Sequence, residues 1–296
     1  MKLGIIGGSG LYEIEDLRNG EPISVDTPFG PPSDLFLHGT LGAAEIYFLA
    51  RHGRGHRKMP SEINHKANIY GFKKLGVDTV VGISAVGSLR EDLRPRDIVL
   101  PDQYFDRTKC SLEHTFFGHG LVAHIAFGDP VCPTLREHLR QSVDKTIASD
   151  RNYHGIQVRD RGTYVNMEGP AFSTRAESNA YRKMGFDIIG MTSLPEAKLC
   201  REAEICYASV SMITDYDCWY EAVESVSVEM ILSNLKANTA LAHDFIRLLG
   251  NTPPDTHKCA CHSALQNAMI TAADMIPEST KTSLAPIIGK YLRPAS

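Results

Sequence analysis

Residues 205–219, ICYASVSMITDYDCW, combine an apolar run with two aspartates at its end. The run from 205 to 212 lacks strict alternation of apolar and polar residues, which predicts a strand that is covered on both faces. Asp215 and Asp217 flank Tyr216 directly after it, where burial disfavours a charged carboxylate. Two explanations remain open at this point. Either the strand ends in a solvated turn, or Asp215 or Asp217 meets a proton or an N–H group inside a pocket.

Further segments with strand and helix patterns alternate along the chain. Runs rich in Val, Ile and Tyr, bounded by Gly, Asp or Pro, predict strands at residues 3–6, 46–50, 79–83, 97–100 and 187–190. Helices are predicted at residues 61–75, 174–184, from 193 onward, at 226–249 and at 264–275. This alternation predicts an α/β fold with a mixed or parallel sheet between helix layers. We expect one domain over residues 1–296, with a helical tail at 250–296 that is too short to form a core alone.

Two helix starts carry the signature of a capping box, in which a hydroxyl and an acid three residues later satisfy each other's backbone N–H groups. Thr174 and Glu177 form one such pair, and Ser193 and Glu196 form the other. We therefore expect Glu196 to fold back on the start of its own helix.

Composition excludes several classes of protein. The chain has 296 residues with 31 basic and 35 acidic side chains, a net charge of −4, which does not indicate a nucleic-acid partner. No window has the long uncharged apolar run of a membrane helix. The start, MKLGIIGGSG, is too short in apolar character for a signal peptide and is expected to form a strand and a glycine turn. We expect a cytoplasmic protein.

The glycine turn GIIGGSG at residues 4–10 follows the first predicted strand. Glycines let backbone N–H groups crowd around an anion, and Ser9 adds a hydroxyl. A dinucleotide-binding fingerprint fails because Glu13 stands where its third glycine is required, and no Walker sequence is present. A tight turn without a ligand explains this motif alone about equally well.

A basic loop, ARHGRGHRKMPS at residues 50–61, follows the second strand. Arginine can donate two parallel N–H groups to a phosphate, so Arg51 and its neighbours are a candidate anion site. A solvated charged loop is the ordinary alternative, and a metal site would lack carboxylate or cysteine ligands nearby. Together with the glycine turn, the loop favours phosphate over metal.

Ordered motifs then make the chain similar to a known family. The segments GIIGGSGLY, DTPFGPPSD, ARHGRGH, MPSEINHKANIYG, AVGSLRED, DQYFDRT, EGPAFSTRAES, MTSLPEAKLCREAEICYAS and TDYDCW resemble, in order, the 5′-methylthioadenosine phosphorylases, of the trimeric branch of the purine nucleoside phosphorylases. The resemblance covers residues 1–249 and is weaker beyond Gly250. It implies a central mixed, partly barrel-like sheet flanked by helices, and a homotrimer or a dimer of trimers.

The family reaction is the phosphorolysis of 5′-methylthioadenosine to adenine and 5-methylthioribose 1-phosphate. The resemblance implies no metal and no organic cofactor, with inorganic phosphate as a co-substrate. It assigns phosphate binding to Ser9, Arg51, His52, Ser84, Ala85 and Thr192. It assigns nucleoside binding to Ala85, His124, Phe172, Ser173, Met191, Asp215, Tyr216, Asp217, Val228 and Leu232. Among these, His124 matches a residue that a neighbouring subunit lends to the site, and Val228 and Leu232 match the apolar wall around the methylthio group.

The chemistry gives the two aspartates distinct roles. A purine leaves as a near-anion, so an acid that donates to N7 assists its departure, and burial raises a carboxyl pKa enough to supply that proton. We therefore expect Asp215 to be the catalytic residue. Asp217 would accept from a 6-amino group, which favours adenine over 6-oxo purines. A phosphorylase for methylthioinosine or other 6-oxo nucleosides is the nearest alternative, and a hydrolase or a nucleoside-binding protein is a more distant one.

Seven cysteines are an odd number for a disulfide framework. The segment HKCACH at residues 257–262 is a weak metal motif, because its spacing is unusual for zinc and no second ligand cluster lies nearby in sequence. A redox pair is an alternative, and reduced thiols are the expected state in a cytoplasm. Cys132, Cys200 and Cys206 are expected to be small buried apolar residues.

Overall fold

The computed structural model describes residues 1–14, 16–109, 111–220 and 228–292, with the side chains of 111, 112 and 228–231 not described. Within these residues eleven strands form one sheet. They are β1 Lys2–Gly7, β2 Arg18–Ile23, β3 Phe36–Leu41, β4 Ala44–Ala50, β5 Thr79–Ser88, β6 Ile98–Val99, β7 Gln103–Asp106, β8 Val158–Arg159, β9 Thr163–Asn166, β10 Ile188–Gly190 and β11 Cys206–Asp215. The predicted strands are confirmed, and the strand predicted at 205–212 extends to Asp215.

Parallel strands form the centre of the sheet. β1 lies between β4 and β5, and β5 also pairs with β11, all in parallel. Antiparallel pairs such as β2 with β3 and β5 with β10 make the sheet mixed. The carboxyl ends of β1, β4, β5 and β11 therefore lie at one edge, the usual position of ligand sites in such sheets.

Helices cover both faces of the sheet. They are α1 His65–Lys74, α2 Pro133–Ser149, α3 Arg175–Lys183, α4 Ser193–Glu202, α5 Val228–Asn251, α6 Glu278–Ser283 and α7 Ala285–Ile288. One buried cluster joins the sheet to α2 and α5, through side chains such as Leu139 and Phe245. A second joins the other face to α1, α4 and α7, through side chains such as Phe72 and Leu199. The predicted layers are confirmed, and none of the described helices has the length and apolar character needed to span a membrane.

One helix prediction is wrong, and another is wrong in its extent. Residues 264–275 do not form a helix: turns follow a short 3-10 segment at Ala260–Ser263. Their backbone groups pair elsewhere, since Leu265 N–H donates to Glu204 and the carbonyl of Ala268 accepts from His124 N–H. The helix predicted at 61–75 begins at His65, because the Asn64 side chain accepts from Ala67 N–H and ends the preceding turn.

The capping box of α3 is confirmed. Thr174 accepts from Glu177 N–H at 3.2 Å, and Glu177 accepts from Thr174 N–H at 2.8 Å. This pair sets the start of α3, one turn before Ser178, which contacts the candidate site.

Replacing Thr174 by Ala removes the cap and should lower the free energy of unfolding by about 1 kcal/mol. Thr174→Ser is the matched control, since it keeps the hydroxyl. Denaturant unfolding of the two variants checks this, and equal stability of both would show that the cap contributes nothing to the folded state.

Candidate active site

Asp215 is the last residue of β11, and its carboxylate already accepts two hydrogen bonds. Thr214 Oγ1 donates to it at 2.7 Å and Asp217 N–H at 2.8 Å. Burial nevertheless raises the pKa of Asp215, outweighing these two donors, which lower it. Burial therefore favours a protonated carboxyl at this position.

Asp217 lies next to Asp215 and is 8% exposed. Ser178 Oγ of α3 donates to it at 2.5 Å. Burial raises its pKa against the Ser178 hydrogen bond, and the charge of Asp215 raises it further. Asp217 adopts a positive φ of 55°, which Asp tolerates better than most residues. The solvated-turn explanation of these aspartates is thereby excluded.

Gly87 provides the space that Asp215 occupies. It is paired in register with Asp215 on β5, and a Cβ at Gly87 would lie 3.2 Å from Asp215 Oδ1 and 3.1 Å from Ile189. A larger residue would crowd the carboxyl.

Arg51, directly after β4, forms a buried ion pair with Glu196 of α4. Its Nε and one Nη donate to the two Glu196 oxygens at 2.5 and 3.0 Å, and its other Nη donates to the carbonyl of Ile83 at 2.8 Å. Both side chains are 1% exposed. Burial alone would lower the pKa of Arg51, but the charge of Glu196 offsets this and raises it. Arg51 is thus fixed and charged, with two of its five N–H groups free of these bonds.

This pair overturns the capping box predicted for Ser193 and Glu196. α4 has Thr192 at its N-cap without a side-chain cap bond, because Glu196 is used by Arg51 and also accepts from Tyr207 at 2.8 Å. The local sequence pattern predicted that Glu196 caps its own helix. Its carboxylate instead accepts from Arg51, which is distant in sequence.

The glycine turn lies over Arg51. A Cβ at Gly8 would come within 2.9 Å of an Arg51 Nη atom and 2.7 Å of the Ile83 carbonyl, so only glycine fits there. A cavity beside the turn is lined by Gly8 and Ser9 of the turn itself and by Ser84 and Ala85 of β5. On its other side lie residues of α5, among them Leu235, Asn238 and Thr239. The structure thus brings together four of the predicted phosphate-binding residues near the carboxyl ends of β1, β4 and β5: Ser9, Arg51, Ser84 and Ala85.

Thr192 reaches the same region at the start of α4. It is buried, and Ser193 Oγ lies 3.5 Å from Ser84 Oγ. Asn166, at the end of β9, fixes this segment: its Nδ2 donates to the carbonyl of Met191 and its Oδ1 accepts from Leu194 N–H. Asn166 was not among the predicted site residues, and no strand was predicted there. Its only signal in the sequence is an amide at the end of the short run TYVN, residues 163–166.

His52 stacks on His56, with ring centres 4.3 Å apart. Burial, together with the charges of Arg51 and His56, lowers the pKa of His52 to about 4. Its ring is therefore neutral at neutral pH. Nδ1 faces the carbonyl of Lys58 at 2.9 Å and must donate to it, which leaves Nε2 as an acceptor.

The base side of the site is more open. Phe172 is 75% exposed, so it does not pack into a closed pocket within one chain. Ser173 contacts the segment that carries the aspartates, because Cys218, the residue after Asp217, donates from its Sγ to the carbonyl of Ser173 at 3.2 Å. Tyr216 stacks on Tyr220 with ring centres 4.4 Å apart.

Leu232, Val228 and His124 are not placed in this group by the described residues of one chain, each for a different reason. Leu232 is 57% exposed, and Leu235, nearly one turn later, lines the cavity instead. The side chain of Val228 lies outside the described residues. His124 is exposed, and its backbone N–H donates to the carbonyl of Ala268 in the tail.

A second cavity, of about 300 Å³, was not predicted. It borders Met191 and Glu168 and is lined by residues 60–66 and by His114. His65 and His114 are buried there with unpartnered Nδ1 atoms, and burial lowers the pKa of both rings.

Comparison with known proteins identifies the family. A family model described as the phosphorylase superfamily matches residues 2–249. S-methyl-5′-thioadenosine phosphorylase of Koribacter versatilis is 50% identical over 290 residues, 98% of this chain and 96% of that protein. That of Geobacter sulfurreducens is 51% identical over 98% of this chain and 99% of that protein. The chain belongs to the S-methyl-5′-thioadenosine phosphorylase family.

Solved structures agree with this membership. A methylthioadenosine phosphorylase from an antarctic soil metagenomic library has a TM-score of 0.87 and 44% identity, covering 96% of this chain and 98% of that one. A methylthioadenosine phosphorylase from Schistosoma mansoni in complex with adenine has a TM-score of 0.80 and 31% identity, covering 98% of each chain. The matches with curated relatives extend well beyond Gly250, where the motif resemblance was weak.

Replacing Glu196 by Ala leaves the Arg51 charge buried without its partner, which should lower the free energy of unfolding by about 3–5 kcal/mol. Glu137→Ala is the control, because Glu137 pairs with Arg140 at the surface and its loss should leave stability almost unchanged. Denaturant unfolding measures both. Similar small losses in the two variants would contradict a desolvated ion pair.

Proposed function

We propose that this chain catalyses the phosphorolysis of S-methyl-5′-thioadenosine to adenine and 5-methylthio-D-ribose 1-phosphate. The observation that carries the proposal is the half-buried Asp215, with its raised pKa, at the same sheet edge as the glycine turn and Arg51. Family membership supports the same activity. The phosphate and nucleoside roles below rest on this geometry.

The two ends of the substrate fit the spacing of β5. Ser84 lies beside the glycine turn, and Gly87 is in register with Asp215. Three residues of a strand span about 10 Å, which leaves room for a ribose with phosphate below it and a purine beyond it.

At the phosphate end, backbone N–H groups of the Gly8–Gly10 turn and the hydroxyls of Ser9, Ser84 and Thr192 supply donors. The free N–H groups of Arg51 add positive charge in a buried place, where its attraction for an anion is strong. Neutral His52 presents Nε2, which accepts from a phosphate O–H or, once protonated beside the anion, donates to a phosphate oxygen. Phosphate held beneath the sugar then stabilises the developing cation at the anomeric carbon and bonds to it.

At the base end, protonated Asp215 donates to N7 as the glycosidic bond breaks, so the purine leaves without a full negative charge. Asp217 keeps an oxygen free of the Ser178 hydrogen bond and accepts from the 6-amino group. A 6-oxo purine would place a carbonyl against this acceptor and leave it unpaired. The site therefore favours adenine.

We propose a homotrimer in which His124 of one chain reaches the site of another. Exposed apolar side chains near the site, Phe172 and Leu232, support a neighbouring chain at this rim. That the reaction needs no metal or organic cofactor, and that the protein is cytoplasmic, remain predictions.

Asp215→Asn should lower kcat/KM for methylthioadenosine about 10- to 100-fold, because a hydrogen bond to a charged group contributes about 1.5–3 kcal/mol. The thermal midpoint should stay level or rise at neutral pH, since the amide removes a carboxyl whose ionised form burial disfavours. Full activity in a folded Asp215→Asn variant would show that Asp215 is not the N7 partner.

Adenine release from methylthioadenosine should require phosphate, and methylthioinosine should react about 100-fold more slowly or worse. Chromatographic product identification with and without phosphate measures both. Asp217→Asn should narrow the difference between the two nucleosides. Equal adenine release without phosphate would indicate a hydrolase, and faster turnover of methylthioinosine would indicate a 6-oxo phosphorylase.

A further inference from the structure

Four cysteines from distant parts of the chain lie close together at the start of β11, at the end of this strand opposite to Asp215. Their four sulfur atoms all lie within 4.8 Å of one another: Cys132, Cys206, Cys259 and Cys261. Cys132 Sγ and Cys259 Sγ are 3.4 Å apart. The group is therefore a cluster of metal-ligating atoms, and the catalytic mechanism uses none of them.

The fold positions each thiol on an ordered element. Cys132 is the N-cap of α2, and Cys206 is the first residue of β11. Cys259 and Cys261 stand at the 3-10 turn of the tail, which is held by backbone bonds from Cys259 N–H to Thr256 and from His262 N–H to Cys259. Two ligands thus come from the core and two from the C-terminal segment.

The separations suit a tetrahedral metal ion. A Zn²⁺ ion binds thiolates at about 2.3 Å, so the sulfurs of a tetrahedral site are about 3.8 Å apart. The observed cluster requires shifts of only a few tenths of an ångström to about 1 Å to reach that geometry. Soft thiolate ligands in a set of four select zinc among the common divalent ions.

Two neighbouring groups are placed to support metal-bound sulfur atoms. Leu135 N–H donates to Cys132 Sγ at 3.4 Å at the start of a 17-residue helix, whose N-terminus stabilises negative charge. His262 lies behind the cluster: its Nε2 is 3.7 Å from Cys206 Sγ and 2.9 Å from the carbonyl of Thr256. Its contacts are those of an outer residue that orients a ligand.

We propose that Cys132, Cys206, Cys259 and Cys261 form a structural Zn²⁺ site that fastens the C-terminal segment 252–292 to the sheet. Binding exchanges the four S–H protons for one Zn²⁺, so up to four protons leave and no electron is transferred. Four protein ligands leave no open position for water, which is the arrangement of a structural site and not a catalytic one.

The position separates this site from catalysis. Cys206 and Asp215 are the two ends of β11, nine residues and about 30 Å apart. Metal loss should therefore weaken the attachment of the tail, with its buried Leu265, Ile276 and Ile288, before it alters the chemistry at Asp215.

The HKCACH segment was a weak metal motif because no other ligands lie near it in sequence. The structure supplies the two missing thiols from residues 53 or more positions away. The alternative to a metal site is that the same four cysteines are joined in disulfide bonds.

The test is elemental analysis of the full chain, purified with a thiol reductant and without a chelator. We expect one zinc per chain in the wild type and a loss of that zinc in the double variant Cys259→Ala with Cys261→Ala. Cys200→Ala is the matched control, since Cys200 is buried in α4 outside the cluster. The Cys200→Ala variant should therefore keep one zinc per chain.

A second measurement does not depend on the variants folding. Wild-type protein stripped of metal and titrated with Co²⁺ should develop the visible bands of a tetrahedral cobalt site together with thiolate charge-transfer absorption, saturating at one ion per chain. Zinc should compete, and its addition should raise the thermal midpoint of the stripped protein.

Two results would overturn the proposal. One is wild-type protein that holds no stoichiometric zinc and gives no thiolate–cobalt absorption although its four thiols are free. The other is peptide mapping that finds these cysteines joined as disulfides in protein isolated under non-oxidising conditions.

Discussion

Desolvation at the carboxyl edge of the central parallel strands decides how the charged side chains of the candidate site are arranged. Every charge placed there must either find a partner or give up its charge. Arg51 takes the first course, because two of its N–H groups donate to the carboxylate of Glu196 and both side chains are buried. Asp215 is shifted towards the second, because its two hydrogen-bond donors are neutral groups and burial outweighs them, which raises the pKa of its carboxyl.

These two outcomes give the site its polarity along β5. Near Ser84, the fixed arginine, the glycine turn and the start of α4 create a positive region that suits an anion. Near Gly87, two carboxyls with raised pKa values create a region that donates or accepts at a purine edge. A nucleoside bound between them would have its attacking and leaving groups on opposite sides of the sugar, as phosphorolysis requires.

The local sequence pattern was enough to predict the strands, the helix layers and the Thr174 capping box, because each depends on neighbours within a few residues.

Prediction from the local pattern failed where a group distant in sequence bonds to the same side-chain or backbone atoms. Glu196 has the spacing of a cap, but a buried cation 145 residues away recruits it. Residues 264–275 have a helical pattern, but Glu204 and His124 pair with their backbone. The cysteine cluster could not be predicted from HKCACH alone for the same reason. The motif resemblance assigned residues at or near the ends of β1, β4, β5 and β11 to one site, and these strand ends lie at the same edge of the sheet. It gave no indication that Leu232 is exposed or that Asn166 hydrogen-bonds to Met191.

Burial raises the pKa of the Asp215 carboxyl at the base end of the site. The most direct measurement is a carbon-13 NMR titration of the Asp215 carboxyl in the free enzyme, assigned by the loss of its signal in Asp215→Asn. The account predicts a pKa clearly above 3.8, the ordinary value for aspartate. A titration at or below that value would contradict it.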